Sequence, residues 1–210
     1  MKKTRLLLSS FLVLSFFINP LPSFSESITF RADSMTGSAS QDSGKTSLEG
    51  NASVITDTME ITAELIEISG DSYSTISAIG SVVGTNKESL LNFTCGKMTF
   101  DRNTKIARLE DGVHLIDTKN DVTADAEIIE FNQDTGVAVM EISVNIKQKD
   151  NTCTSSYAVY RQNEQQLEMS GNPKVIQGSD TFRAQEINLN LNTQEITLNG
   201  RVRGSVTTGD

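Results

Sequence analysis

With one histidine, no tryptophan and two cysteines in 210 residues, the chain is short of the side chains on which most catalysis and metal binding depend. His114 lies between Val113 and Leu115 in a strand-like stretch. A metal site needs convergent ligands, and the nearby Asp111 and Asp117 read more simply as turn and surface residues. No Gly-x-Ser-x-Gly elbow and no glycine-rich phosphate loop occurs, so neither nucleophile activation nor nucleotide binding has a local signature. Carboxylate pairs such as Glu64 and Glu67 arise by chance among 27 acidic residues. The expectation is a non-enzymatic protein with no cofactor and no metal.

Proline is scarce as well. Pro20 and Pro22 lie near the N-terminus, leaving Pro173 as the one proline in the remainder. Long main-chain ladders are therefore unobstructed, and Pro173 itself predicts an edge or bulged strand. Long apolar runs are missing beyond the first 25 residues, and nothing later is apolar enough to span a bilayer as a helix.

That first segment has its own pattern. Lys2, Lys3 and Arg5 precede an apolar stretch over 6–18, and Ser23-Phe24-Ser25 is a small-x-small cleavage site. This predicts export, with a signal peptide at 1–25 cleaved near Ser25. An uncleaved anchor is the weaker reading, because the apolar run falls short of the ~20 residues that cross hydrocarbon. Cleavage takes the net charge from −9 to −12, since three of 18 basic residues leave and none of the 27 acidic ones do. A surface of that sign repels nucleic acid. In an oxidising compartment Cys95 and Cys153 are free to pair. Their different places in units two steps apart would hold them beyond disulfide reach, so two buried thiols are expected.

What the chain does contain is a repeat. The order apolar, x, small, x, x, apolar, x, apolar recurs near 30–35 and at 61–68, 93–100, 124–131, 153–160 and 182–189. Its small residue falls at Ala32, Ala63, Cys95, Ala126, Ser155 and Ala184, in steps of 31, 32, 31, 29 and 29. A second element, usually with glycine, follows each copy at 48–54, 79–82, 110–113, 169–175 and 198–202; the fourth unit has Met140-Glu141-Ile142-Ser143-Val144 instead. Periods of this size mark stacked supersecondary units that bury their apolar faces on one another. Alternation within the copies indicates strands. In 61–68 it slips by one residue after Leu65, and comparable slips follow Cys95 and Ala184, which predicts a bulge or corner at a fixed place. Asn, Asp and Gly punctuate the copies as turns. The fold class is all-β, a stack of about six repeats of roughly 30 residues, in a single domain over 26–203 with a flexible tail over 204–210. Two glycosylation sequons, Asn51-Ala52-Ser53 and Asn92-Phe93-Thr94, are too permissive to identify a site.

The stretch Leu48-Glu49-Gly50-Asn51-Ala52-Ser53-Val54, followed by Met59-Glu60-Ile61-Thr62-Ala63-Glu64, resembles the Phe-x-Gly-Asn-Val-x-Val and Ile-x-Ala-Asp elements of the OstA-like periplasmic lipopolysaccharide transport family, in its LptA type. Val122-Thr123-Ala124-Asp125 and Phe182-Arg183-Ala184-Gln185 are similar to the same strand. The likeness covers about 27–203. Ala52 in place of valine, Glu64 in place of aspartate and the missing glycine in the fourth unit depart from the family pattern. The resemblance implies a periplasmic destination and a twisted β-jellyroll open at both ends that carries lipopolysaccharide, or a related multi-acyl lipid, in its apolar interior from the inner toward the outer membrane. By that analogy Ile61, Ile66, Ile68, Phe93, Met98, Phe100, Ile129, Phe131, Phe182, Ile187 and Leu189 line the interior. Ile28, Phe30, Ala32, Ile196, Leu198 and Val202 lie on terminal edges. The implied partners are an inner-membrane-anchored jellyroll protein and the N-terminal domain of an outer-membrane barrel, with head-to-tail self-association as a further contact. A different class fits the same repeats, namely an exported structural or adhesive β-solenoid with a filled core and no lipid cargo.

Overall fold

A computed structural model describes residues 27–37 and 44–207. The expected signal segment, residues 40–43 of the first turn and residues 208–210 of the expected tail lie outside the described residues. The strands are β1 (Thr29–Arg31), β2 (Ser34–Gly37), β3 (Thr46–Ile55), β4 (Met59–Ser69), β5 (Thr75–Asn86), β6 (Leu91–Asp101), β7 (Ile106–Asp117) and β8 (Val122–Asn132). They continue as β9 (Val137–Gln148), β10 (Asn151–Arg161), β11 (Gln166–Ser170), β12 (Lys174–Gln177), β13 (Asp180–Arg183), β14 (Glu186–Asn190), β15 (Ile196–Asn199) and β16 (Arg203–Ser205). A 3-10 turn at Asp71–Tyr73 is the one helical element among the described residues.

Successive strands pair antiparallel in chain order, so almost every contact is between neighbours in sequence. Each long strand is bent at its middle. In β8, Val122, Ala124 and Ala126 are buried, Glu127 is exposed, and burial resumes one register later at Ile129 and Phe131. The pairing of β3 with β4 slips between Glu49 and Ala52, and each later pair through β9 and β10 slips at the matching place. The parity slip read from the sequence is this corner. At the two ends of the stack the corner severs the strand, giving β1 and β2, β11 and β12, β13 and β14, and β15 and β16.

The corner has a backbone cause. Gly50-Asn51, Gly80-Ser81, Asp111-Gly112, Ile142-Ser143, Gly171-Asn172 and Gly200-Arg201 all have positive φ at both residues. Two left-handed residues on one strand face a single residue of the next, such as Gly96 or Glu127, so one strand carries an extra residue and the ladder turns. Side chains close the turn: Asn51 Nδ2 donates to Asp33 Oδ2 at 2.8 Å and Ser81 Oγ to Glu64 Oε1 at 3.1 Å. Glycine adopts such angles without a steric penalty, which explains its period. The fourth unit makes the same turn without glycine, because the ladders on both sides impose it on Ile142 at φ 64°.

Bending every strand at one place folds the ladder into two facing layers. One holds β1, the second half of β3, the first half of β4 and so on to β12, β13 and β16; the other holds the complementary halves through β11, β14 and β15. The fold is thus a twisted, unclosed β-jellyroll. Its terminal edges are β1 with β2 and β15 with β16, each paired on one side only.

Two local expectations change. Pro173 belongs to no strand and occupies the corner between β11 and β12, where no ladder bond needs its missing N–H. The expected tail begins too early, because Gly204 and Ser205 pair with Phe182 and Thr181; their main-chain groups complete the open side of β13. Cys95 and Cys153 are both buried and free.

A β-branched residue at φ 64° is a strained choice, and the Ile142 side chain is 53% exposed, so it contributes little packing. Replacing Ile142 with Gly is expected to stabilise the protein by about 1 kcal/mol, read as a higher urea midpoint with an unchanged m-value.

Candidate functional site

The space between the layers is the one extended apolar region of the described residues. Alternation sends every second side chain of each half-strand inward. Ile61, Ile66, Ile68, Phe93, Met98, Phe100, Ile129, Phe131, Ile187 and Leu189 are buried there in a single continuous cluster. Phe182 is half-buried at the C-terminal end and packs against it. The sequence reading overlooked equally buried members, among them Leu48, Met59, Leu109, Leu115, Met140 and Tyr160. Four of these, Leu48, Leu109, Leu115 and Met140, sit on the strands that carry the left-handed pair, whose wider corner hides their phase. Gly84 was also overlooked; the Phe93 ring lies directly over its backbone, and any side chain there would overlap the ring.

This interior is packed shut. A cavity of about 10 Å³ remains among Met59, Asn86, Leu91, Phe93, Ala107, Leu109, Leu115 and Phe131. That is near the lower limit for one water molecule. Among the described residues the arrangement is thus the filled core weighed from the sequence.

Opposite the corner, where the hairpin turns of the two layers meet, the closure is polar. Asp117 is fully buried at the end of β7. Its carboxylate accepts from the backbone N–H groups of Lys119 and Asn120 at 2.9 and 3.1 Å, from Asn120 Nδ2 at 2.8 Å, and from the Tyr160 hydroxyl of the facing layer at 2.8 Å. Asn120 Nδ2 also reaches the Gln162 carbonyl at 3.1 Å, and Gln162 Nε2 donates to the Ser89 carbonyl at 2.8 Å. Farther along, Gln194 of the facing layer meets Gln148, Asn151 and Gln177. Burial pushes the Tyr160 phenol far above its usual range, and the adjacent Asp117 carboxylate adds to the shift. It therefore stays a donor. A neutral hydroxyl aimed at a buried carboxylate is a charge-assisted bond, and here it ties one layer to the other. From the sequence Asp117 was expected at a turn or on the surface; it is instead fully buried, because Asn120 and Tyr160 satisfy its carboxylate inside the seam.

Of the expected edge residues, Phe30 on β1 is 46% exposed, and Val202 at the last corner is 54% exposed. Ile28, Ala32, Ile196 and Leu198 are half-buried against the ends of the core. His114 lies on the outer face with Nδ1 2.6 Å from Asp125 Oδ1. Among the described residues no His, Cys, Asp or Glu group is arranged to hold a metal.

Two bent layers, an apolar interior, a polar seam and unpaired edges at both ends define an open-ended β-jellyroll. Residues 31–195 match the family model described as "LptA/(LptD N-terminal domain) LPS transport protein", and the chain belongs to that family. It is also similar to the crystal structure of LptH from Pseudomonas aeruginosa, described as the LptA homologous periplasmic component of a lipopolysaccharide transport device. Identity is 12%, the TM-score is 0.27, and 87% of this chain and 96% of that one are covered. No curated protein sequence matches the chain.

Tyr160→Phe removes a buried bond to a carboxylate and is expected to cost about 1–3 kcal/mol, measured by urea unfolding. The thiols give a pH prediction. Burial raises Cys95 to about 11 and Cys153 to about 12, above the ~8.5 of an unfolded cysteine. The unfolded chain therefore releases these protons first, and stability, complete below about pH 8.5, should fall as pH rises toward 11 and 12. A Cys95→Ala/Cys153→Val variant should show a shallower fall in its urea midpoint over that range.

Proposed function

We propose that this protein is a non-enzymatic periplasmic carrier that takes the acyl chains of lipopolysaccharide between its two layers and passes them from the inner toward the outer membrane. Membership of a lipopolysaccharide transport family supports the direction of the reading. The observation that carries it is the apolar cluster, which runs without interruption from the β3 rung to the β14 rung. Repetition makes each rung chemically like the next. Apolar contact is non-directional and contributes about 25 cal/mol per Å², so a chain exchanges one rung for its neighbour with little net change. Ile61, Ile66, Ile68, Phe93, Met98, Phe100, Ile129, Phe131, Phe182, Ile187 and Leu189 are the proposed contacts.

The unpaired main-chain groups of β1, β2, β15 and β16 fit strand addition. We assign the N- and C-terminal edges, with Ile28, Phe30, Ala32, Ile196, Leu198 and Val202, to head-to-tail contacts with an inner-membrane-anchored jellyroll, with the N-terminal domain of an outer-membrane barrel partner, or with a second copy. A packed scaffold with no cargo is the competing reading, favoured by the closed interior.

Photoreactive residues at positions 93, 131 and 182, with lipid extraction and mass spectrometry of residues 26–210, separate the two. Lipopolysaccharide crosslinked at all three positions is the expected result. Absence of co-purifying lipid together with no crosslinks would leave the scaffold as the function.

A further inference from the structure

The inward residues that end the first-layer strands at the seam form a column of their own. Asn86, Asp117, Gln148 and Gln177 close β5, β7, β9 and β12, spaced by 31, 31 and 29 residues. The first three are at most 3% exposed. Polar side chains are therefore stacked one per repeat along the upper boundary of the apolar cluster, and the interior is amphipathic in cross-section.

Their partners differ. Asp117 and Gln148 bond to the facing layer through Tyr160 and Gln194. Asn86, 2% exposed, does not. Its Oδ1 accepts from the backbone N–H groups of Glu88 and Ser89 at 3.0 and 2.8 Å. Both neighbours are donors, so the orientation of the amide is fixed by the turn and its NH₂ must face away from it. That NH₂ has no acceptor. A buried donor without a partner is rare and costly, and the residual cavity that Asn86 lines is at the lower limit for one water.

We propose that Asn86 is a lipid-positioning residue whose amide NH₂ donates to the ester or amide carbonyl joining an acyl chain to its headgroup. The proposal rests on the carrier function above. The chemistry follows from position: below Asn86 are Met59, Leu91 and Phe93, which suit hydrocarbon, and above it is the turn over residues 87–90, where Lys87, Glu88 and Leu90 are exposed. The group of an acylated lipid at that boundary is the acyl carbonyl, an acceptor with no hydrogen of its own. Parting the layers to admit a chain breaks the side-chain bonds of Asp117 and Gln148 to the facing layer and, at the turn that Asn86 caps, the Gln162 bond to the Ser89 carbonyl; the Asn86 side chain itself loses none and gains a new one. Asn86 is thus the rung at which a lipid is held in register.

The test compares a polyacyl glycolipid with its ether-linked analogue, which has the same chains and no carbonyls, by equilibrium binding to residues 26–210. A second ester and ether pair is built on a diacyl glycerophospholipid. The wild type should hold the carbonyl-bearing member of a pair roughly threefold to tenfold tighter, the range for one hydrogen bond. A preference in either pair supports the assignment and identifies the lipid class. Asn86→Asp keeps the oxygen that caps the turn and removes the donor, and should abolish the preference; Asn86→Gln, which retains an amide donor, should recover part of it. Equal affinity for ester and ether in the wild type overturns the proposal and leaves lipid carriage standing, as does a preference that survives in Asn86→Asp. Failure of every lipid to bind overturns both.

Discussion

The structure depends on one backbone constraint, the pair of left-handed residues that every second strand carries at its middle and that bends the whole ladder there. A ladder of short antiparallel strands is otherwise an open sheet with two wet faces, and its apolar face would have nothing to cover it. By inserting one extra residue at the same level in each repeat, the corner turns that face onto itself. Burial then comes from the chain's own continuation. Polar residues at the corner, Asn51 donating to Asp33 and Ser81 to Glu64, bond in pairs on the outside of the bend, leaving the inside to Ile, Leu, Met and Phe. Ile142 shows how strongly neighbours enforce the geometry, since it accepts glycine's angles when the glycine is missing.

The same bend creates the opposition on which the proposed function turns. Apolar packing next to the corner has no preferred direction and tolerates exchange of partners. The seam on the other side is built of hydrogen bonds with fixed partners, among them Tyr160 to Asp117 and Gln162 to the Ser89 carbonyl. Such bonds tie the two layers together along the seam. A bent sheet thus separates an adaptable floor from a selective rim, and the repeat makes both periodic along the column.

Much of the fold was legible in the chain. The period of the small residue, the alternation of apolar side chains and the slip at Leu65 led to stacked bent strands, and the expected interior set was found buried almost whole. The readable signal was strongest on strands such as β4 and β8, where only the slip interrupts alternation. It was weakest on the strands that carry the left-handed pair, where the wider corner obscured Leu48, Leu109 and Met140. The end of the domain was misjudged, because Gly204-Ser205 has no pattern of its own and becomes a strand only through the free edge of β13.

Sequence by itself determined the repeat, the all-β class and the apolar face, because these are local properties of spacing and backbone preference. Only the tertiary structure decided that the interior is packed shut, that Asp117 is buried against Tyr160 43 residues away, and that the Asn86 amide lacks an acceptor. Each is a question of which group meets which across the fold. A polar residue at the end of a strand looks the same in sequence whether it faces water or a partner across the fold.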